Sequence, residues 1–95
     1  MFMPISLTDR LVVPDAVMVR AIGNESVLLN LETETYFGLN ATGSRMWQLL
    51  TASTTVAEAC DALAAEYDAG RGEIEADLTA LADQLVAKGL LRVAP

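Results

Sequence analysis

The sequence predicts an α+β domain in which a small antiparallel sheet is followed by three helices. The first half of the chain holds short runs of β-favouring apolar residues separated by turn residues, and the second half holds apolar residues at helical spacing. Strands that precede the helices, instead of alternating with them, are typical of α+β folds. A length of 95 residues provides one such domain with its own core.

Residues 10–39 are predicted to form a β-meander of about three antiparallel strands. A short β-rich run at 10–13 is stopped by Pro14. Longer apolar runs follow, joined by short polar turns, at 17–22, 26–31 and 35–39. Apolar runs joined in this way are typical of hairpins. Because so small a sheet is not stable alone, its apolar face must pack on another element.

The first two predicted helices begin at recognisable caps. Asn40 can cap a helix that spans residues 41 to about 50. Thr55, followed three residues later by Glu58, has the spacing of a capping box and opens the second helix. The apolar faces are Met46, Trp47, Leu49 and Leu50 in the first helix, and Val56, Cys60, Leu63 and Tyr67 in the second. Cys60 is therefore expected to be a buried, unreactive thiol.

The third helix is predicted to begin near Glu73, after a break at Gly70-Arg71-Gly72, and to end at Lys88-Gly89. Acidic residues in its first turns suit the positive end of the helix dipole, and a basic residue followed by glycine is typical of a helix C-terminus. Its core-facing stripe is Ile74, Leu78, Leu81 and Leu85. Residues 90–93 are expected to form a short β-like tail.

The composition excludes most catalytic chemistry. The chain has no His and one Cys, so the commonest general base and metal ligand is missing and no zinc site can form. It also lacks the spacings of a phosphate-binding loop, a dinucleotide-binding turn and a calcium loop. We therefore expect a non-enzymatic protein without cofactor or metal. One Cys, no membrane-length apolar stretch and no signal-like N-terminus predict a cytoplasmic protein with no membrane partner.

Helices joined by a short turn and followed by a β-like tail also suggest a winged helix-turn-helix arrangement. The alternative function is therefore a transcription regulator that binds DNA. In that fold the last helix would contact the DNA and its polar face should be basic. Here the helix has one basic residue, Lys88, against four acidic ones, which are Glu73, Glu75, Asp77 and Asp83. With a net charge of −7 as well, the chain is not expected to bind nucleic acid.

The ordered series of motifs resembles the PqqD family, over roughly residues 10–93. The residues that carry the resemblance are VLLNL at 27–31, TYFGLNATG at 35–43, MWQLL at 46–50, TVAE at 55–58 and KGLL at 88–91. Members of this family have three strands followed by three helices in a winged-helix-like arrangement. They are non-catalytic elements that recognise the leader of ribosomally made precursor peptides.

The resemblance implies a function and partners for this chain. The leader of a precursor peptide would add as an extra strand to the edge of the sheet, in a cleft against the third helix. The chain would then deliver the precursor to a separate modifying enzyme. In a lasso-peptide pathway that enzyme is a leader peptidase or a cyclase, and in pyrroloquinoline quinone synthesis it is a radical SAM enzyme. The residues leave the choice between these pathways open.

The residues themselves also favour strand addition. The run Thr35–Leu39 has neither charge nor proline, which are among the devices that usually protect an open sheet edge. If it lies at an edge, a peptide can pair with it through main-chain hydrogen bonds. A central or covered strand would exclude this function. The periodicity of a strand turns Phe37 and Leu39 towards the core. Tyr36 and Gly38 then lie on the opposite face.

The predicted peptide site combines this strand with one flank of the third helix, where residues three and four apart share a face. Its residues are Thr35, Tyr36, Phe37, Gly38 and Leu39 on the strand, with Asp77, Ala80, Leu81, Gln84 and Lys88 on the helix. The N-terminal segment 1–9 is unusually apolar for a loose tail. It is expected to pack on the domain or on a second copy, so the chain is predicted to be a monomer or a weak homodimer.

Overall fold

The computed structural model describes residues 5–94 and has five strands and three helices in that range. The strands are β1 (Leu11–Val12), β2 (Val17–Ile22), β3 (Glu25–Asn30), β4 (Thr35–Leu39) and β5 (Arg92–Val93). The helices are α1 (Ala41–Ala52), α2 (Val56–Glu66) and α3 (Arg71–Ala87). The main sheet precedes the helices along the chain, which confirms the predicted α+β fold.

The main sheet is an antiparallel meander of β2, β3 and β4, with β3 in the middle. Its register places Met18, Leu29 and Tyr36 in one row across the sheet. Gly23 has a φ of 64° in the turn between β2 and β3. Glycine adopts this left-handed conformation without the steric cost that a Cβ would add. Because β4 is the last strand of the meander, it lies at an edge, as predicted.

β1 is not part of the meander. It pairs antiparallel with β5, so that Leu11 lies opposite Val93, and the Ala94 N–H donates to the carbonyl of Arg10 at 2.7 Å. The meander therefore begins at Val17 and not at residue 10, where the sequence placed it. A two-residue strand cannot specify its partner locally, and here the partner is the C-terminal tail.

The predicted caps of the first two helices are confirmed. The side-chain carbonyl of Asn40 accepts a hydrogen bond from Gly43 N–H at 2.8 Å. The hydroxyl of Thr55 accepts one from Glu58 N–H at 3.2 Å. The Glu58 carboxylate in turn accepts from Thr54 N–H at 3.2 Å, one residue before the cap. Each side chain thus satisfies a main-chain donor that the helix itself leaves unpaired.

α3 begins at Arg71, earlier than the predicted start near Glu73, and Gly72 lies within its first turn. The Arg71 guanidinium pairs with Glu75 one turn further along, at 3.0 Å, and with Asp61 of α2, also at 3.0 Å. These contacts support a helical first turn at a sequence that locally predicts a break. The predicted start was wrong by two residues, because the glycines on either side of Arg71 do not reveal its pairing with Asp61 of the preceding helix.

The core lies between the inner face of the sheet and the helices, and α1 packs on β3 and β4. Its fully buried larger side chains are Leu28, Leu63, Leu78, Leu85, Leu90, Leu91, Val56 and Cys60. Trp47 is also buried, whereas Tyr67 caps the C-terminus of α2 and is exposed, so its predicted place in the core was wrong. Burial raises the pKa of the Cys60 thiol, as expected for an unreactive cysteine.

The N-terminal segment packs on the domain where the structure describes it. Ile5 and Leu7 lie against the core. The Ile5 N–H donates to the Asp83 carboxylate at 2.8 Å, and the Leu7 carbonyl accepts from Ala57 N–H at 2.9 Å. The remaining apolar residues of this segment, Met1, Phe2 and Met3, lie outside the described residues.

Candidate functional site

The hydrogen-bonding pattern of the sheet identifies the main-chain groups of β4 that face its open edge. Leu31 N–H donates at 2.9 Å to the carbonyl of Ala16, which continues the β2–β3 register as its direct partner. Because main-chain groups alternate in direction, the odd-numbered residues of β3 bond to β2 and the even-numbered ones to β4. The β4 partners of those even-numbered residues are Thr35, Phe37 and Leu39. The N–H and C=O groups of Tyr36 and Gly38 therefore point to the open edge.

The side chains of β4 alternate between the two faces of the sheet as predicted. Leu39 is buried on the inner face, and Thr35 and Phe37 are half-buried there. Tyr36 lies on the outer face with 74% of its surface exposed. A Cβ on Gly38 would meet no atom within 4 Å, and the strand pairs without a bulge at this position. Gly38 therefore leaves the outer side of the edge open to a neighbouring strand.

The flank of α3 named by the sequence analysis is largely exposed. Asp77, Ala80, Gln84 and Lys88 are exposed, and Leu81 is half-buried beside them. The helix buries the adjacent stripe, which consists of Ile74, Leu78, Ala82 and Leu85. Leu81 thus borders the core and contributes both to packing and to the exposed flank.

A contact between Lys88 and Phe37 shows where this flank meets the sheet. The Lys88 ammonium lies 5.9 Å from the centre of the Phe37 ring, which is within the range of a cation–π interaction. The end of α3 is also fastened to β3, because the side-chain amide of Asn30 donates to the carbonyl of Gly89 at 2.8 Å. The structure thus brings the C-terminal end of the flank next to β4. Asp77 lies roughly 16 Å further along the helix axis.

The charged side chains of this flank remain unpaired within the described residues. Among residues 5–94, neither Asp77 nor Lys88 forms an ion pair. Two other acidic residues of α3 already have partners, since Glu75 pairs with Arg71 and Asp83 accepts from Ile5. The exposed flank is therefore not a basic surface of the kind that binds nucleic acid phosphates.

One ion pair that shifts the pKa values of both its members lies away from the candidate site, between α1 and α2. Arg45 of α1 pairs with Glu66 of α2 and also donates to Gln48 at 2.9 Å. The hydrogen bond to Arg45 lowers the pKa of Glu66, and the same bond raises the pKa of Arg45. Both groups are on the surface, and their pairing joins α1 to α2. We therefore assign this pair to the structure of the helical layer and not to the candidate site.

One surface feature is missing from the sequence analysis. Met18, Arg20, Val27 and Leu29 line a shallow hollow of about 240 Å³ on the outer face of the sheet. Strand periodicity puts these side chains on one face of each strand, but the register of β2 on β3 decides that they lie side by side. The one local signal is a single charge, Arg20, within the apolar run 17–22.

Features of other functional classes are not found in the part of the chain that the structure describes. No helix within residues 5–94 is both long and apolar enough to cross a bilayer. In the same range, no group of three or more His, Cys, Asp or Glu side chains is arranged to hold a metal ion.

Comparisons with known proteins agree with this architecture. The PqqD family, described as coenzyme PQQ synthesis protein D, matches residues 25–91. The structure "TbiB1 in Complex with the TbiA(beta) Leader Peptide" is 46% identical in sequence, with a TM-score of 0.77, and the match covers 83% of this chain and 92% of that one. "Lasso peptide synthetase B1 complexed with the leader peptide" is 26% identical, with a TM-score of 0.77, and the match covers 90% and 99% respectively.

No curated protein sequence matches the chain. The family match, however, extends from β3 to the segment that follows α3. It includes β4 and the whole flank described above, and it covers well over half of the sequence. The chain therefore belongs to the PqqD family.

Proposed function

We propose that this protein binds the leader region of a ribosomally synthesised precursor peptide and delivers it to separate modifying enzymes. The observation that carries the proposal is the relative TbiB1, which is 46% identical over most of the chain and was solved with the TbiA(beta) leader peptide. A second relative, a lasso peptide synthetase B1, was also solved with a leader peptide. We therefore favour a lasso-peptide pathway over synthesis of the quinone cofactor.

In this proposal the leader adds to the sheet as a strand beside β4. The N–H and C=O groups of Tyr36 and Gly38 face the open edge and supply the main-chain hydrogen bonds, which give affinity with little dependence on sequence. Gly38 has no side chain on the outer face, so a neighbouring strand meets no obstruction there. The polar main chain of β4 thus finds a partner that it lacks within the described chain.

Side-chain selectivity would come from the space between β4 and α3. Alternate leader residues point inward, where they meet Phe37 on one side and the exposed flank of α3 on the other. Leu81 offers an apolar surface in that flank, and Lys88 and Asp77 offer charges that no described residue neutralises. Buried aromatic or aliphatic anchors usually dominate such interfaces. An apolar leader side chain between Phe37 and Leu81 is therefore the main determinant that we propose.

The proposal includes no catalysis by this chain. It has no His, and its one Cys is buried in the core with a raised pKa. Chemistry on the precursor would then belong to a partner enzyme, such as a leader peptidase or a cyclase. A cytoplasmic location goes with this proposal, since the single cysteine suits a reducing compartment.

Amide chemical-shift mapping tests the proposal, with the TbiA(beta) leader as the probe and a scrambled peptide of the same composition as the control. We expect shifts at residues 35–39 and along the 80–88 end of the α3 flank, and none with the scrambled peptide. The mass of the probe should be unchanged after incubation with the purified protein. Shifts confined to residues 10–22 would show that the peptide uses a different edge, and cleavage of the probe would contradict a purely binding role.

A further inference from the structure

β2 forms the second edge of the main sheet, and it is exposed on both faces. Val17 is half-buried and the other five residues are exposed, with Met18 at 52% and Val19 at 46%. The helices leave this strand uncovered, because α1 packs on β3 and β4. The strand contains no proline, and it pairs with β3 without a bulge. Of the devices by which natural sheets protect such an edge, β2 has one charged side chain, Arg20, whose position in a pairing decides the register.

The main-chain groups available on this edge follow from the ladder described above. The even-numbered residues of β2 bond to β3, so Val17, Val19 and Ala21 direct their main-chain groups outward. Val17 N–H is already used within the chain, since it donates to the carbonyl of Pro14 at 3.0 Å. Val19 and Ala21 therefore have both groups free, and Val17 has its carbonyl free.

We propose that β2 pairs antiparallel with β2 of a second copy, about a two-fold axis at Val19, to give a continuous six-stranded sheet. In this register Val19 lies opposite Val19 of the second copy and exchanges two hydrogen bonds with it. Ala21 lies opposite Val17, so its free N–H meets the free Val17 carbonyl, and the symmetry repeats this bond. This register forms four hydrogen bonds between the two copies. The Ala21 carbonyl stays exposed to solvent, because the Val17 N–H opposite it already donates to Pro14.

Charge and hydrogen bonding together select this register over its neighbours. A two-fold axis perpendicular to the sheet keeps the outer faces of the two copies on the same side. The nearest competing registers place this axis at Arg20 or at Met18 instead of Val19. Centring on Arg20 would place two guanidinium groups opposite each other, which is unfavourable. Centring on Met18 would oppose Val17 to Val19. The occupied Val17 N–H would then leave the Val19 carbonyl unpaired, so the residues of β2 would form two hydrogen bonds and not four. In the register centred on Val19, Arg20 lies opposite Met18.

A second copy fits this edge better than a peptide does. Among residues 5–94 the main sheet packs on α1 through β3 and β4, so a single strand added beside β2 would gain main-chain bonds but little of a cleft for its side chains. A second β2 brings its own exposed apolar residues, which cover those of the first on both faces. Because one strand pair buries a small interface, we expect a weak and reversible dimer. The pairing leaves β4 free at the opposite edge, so it is independent of the proposed peptide site.

Sedimentation of the full chain from about 10 to about 500 µM tests the pairing, because weak dimers dissociate in this range. The wild type should shift from monomer to dimer as the concentration rises. Met18→Glu places a carboxylate opposite Arg20 twice in each dimer, and the dimer should tighten by about three- to tenfold. Val19→Pro removes the central N–H and should abolish the dimer. Since that N–H faces outward, circular dichroism should show the fold retained.

Tyr36→Glu is the matched control. Tyr36 lies in the same row as Met18 on the outer face, but on the opposite edge strand. If the dimer forms by pairing of the β2 edges, Tyr36→Glu should leave its dissociation constant unchanged. If two sheets instead stack by their outer faces, the substitution should weaken the dimer. A chain that stays monomeric at all concentrations, a Met18→Glu variant that does not dimerise more tightly, or a dimer weakened by Tyr36→Glu would each overturn the proposal.

Discussion

The side chain of Asn30 joins the end of β3 to the end of α3. Its amide nitrogen donates to the carbonyl of Gly89 at 2.8 Å, and its oxygen accepts from Glu32 N–H at 2.9 Å. Asn30 is 6% exposed, and Gly89 ends the helix with a φ of 73°. One buried amide therefore holds both the turn that leads into β4 and the C-terminus of α3.

Asn30→Ala should lower the free energy of unfolding by roughly 1–3 kcal/mol, because it removes a buried amide and leaves its part-buried main-chain partners without it. Urea denaturation followed by circular dichroism measures the change. Asn24→Ala is the control, since Asn24 is exposed in the turn between β2 and β3. That variant should stay within about 0.5 kcal/mol of the wild type. Equal losses in both variants would contradict the role assigned to Asn30.

Proline substitutions in β4 should separate binding from folding. Tyr36 N–H faces the open edge, so Tyr36→Pro should keep the fold and weaken binding of the TbiA(beta) leader. Phe37 N–H faces β3, so Phe37→Pro removes a hydrogen bond of the ladder and should unfold or strongly destabilise the domain. Circular dichroism and calorimetric titration distinguish the two effects. If Tyr36→Pro unfolds the domain, then the Tyr36 N–H bonds to β3 and does not face the open edge as assigned.

Leu81→Ala should weaken leader binding by roughly 1–3 kcal/mol, as expected when an apolar anchor is truncated. Val86→Ala is a matched control, because Val86 also packs half-buried against the core but lies on another side of α3. Both variants should lose some stability, and only Leu81→Ala should lose affinity in calorimetric titration. If the two variants bind the leader equally well, the α3 flank does not contact the peptide at Leu81.

The stability contributed by the Arg45–Glu66 pair should depend on pH. Arg45 lowers the pKa of Glu66 below its ordinary value of 4.5. A carboxyl whose pKa is lowered by folding stabilises the protein above the ordinary value, and this contribution is lost as the pH falls through the lowered pKa. Glu66→Gln should therefore melt at a lower temperature than the wild type at neutral pH.

The two melting temperatures should converge in acid, where the Glu66 carboxylate of the wild type becomes protonated. Glu25→Gln provides the control, since Glu25 is exposed and forms no ion pair among the described residues. A difference between Glu66→Gln and wild type that persisted unchanged below the lowered pKa would show that the substitution acts through packing and not through charge.

Local patterns in the sequence determined the parts of the fold that depend on neighbouring residues. Asn40 and Thr55 were identifiable as helix caps because each bonds to a main-chain N–H three residues away. The two faces of β4 followed from the alternation of a strand, which places Phe37 inward and Tyr36 outward. The resemblance to the PqqD family supplied the strand-addition site, and its contact residues remain predictions.

Tertiary structure alone decided the features that join distant parts of the chain. β1 pairs with β5 across almost the whole sequence, and Arg71 at the start of α3 pairs with Asp61 of α2. Lys88 lies over Phe37 at the end of α3 that the Asn30 side chain fastens to the sheet. Local spacing encodes periodicity and caps, whereas these contacts depend on how whole elements pack. The uncovered β2 edge arises in the same way, since no residue of a strand specifies which strands the helices will cover.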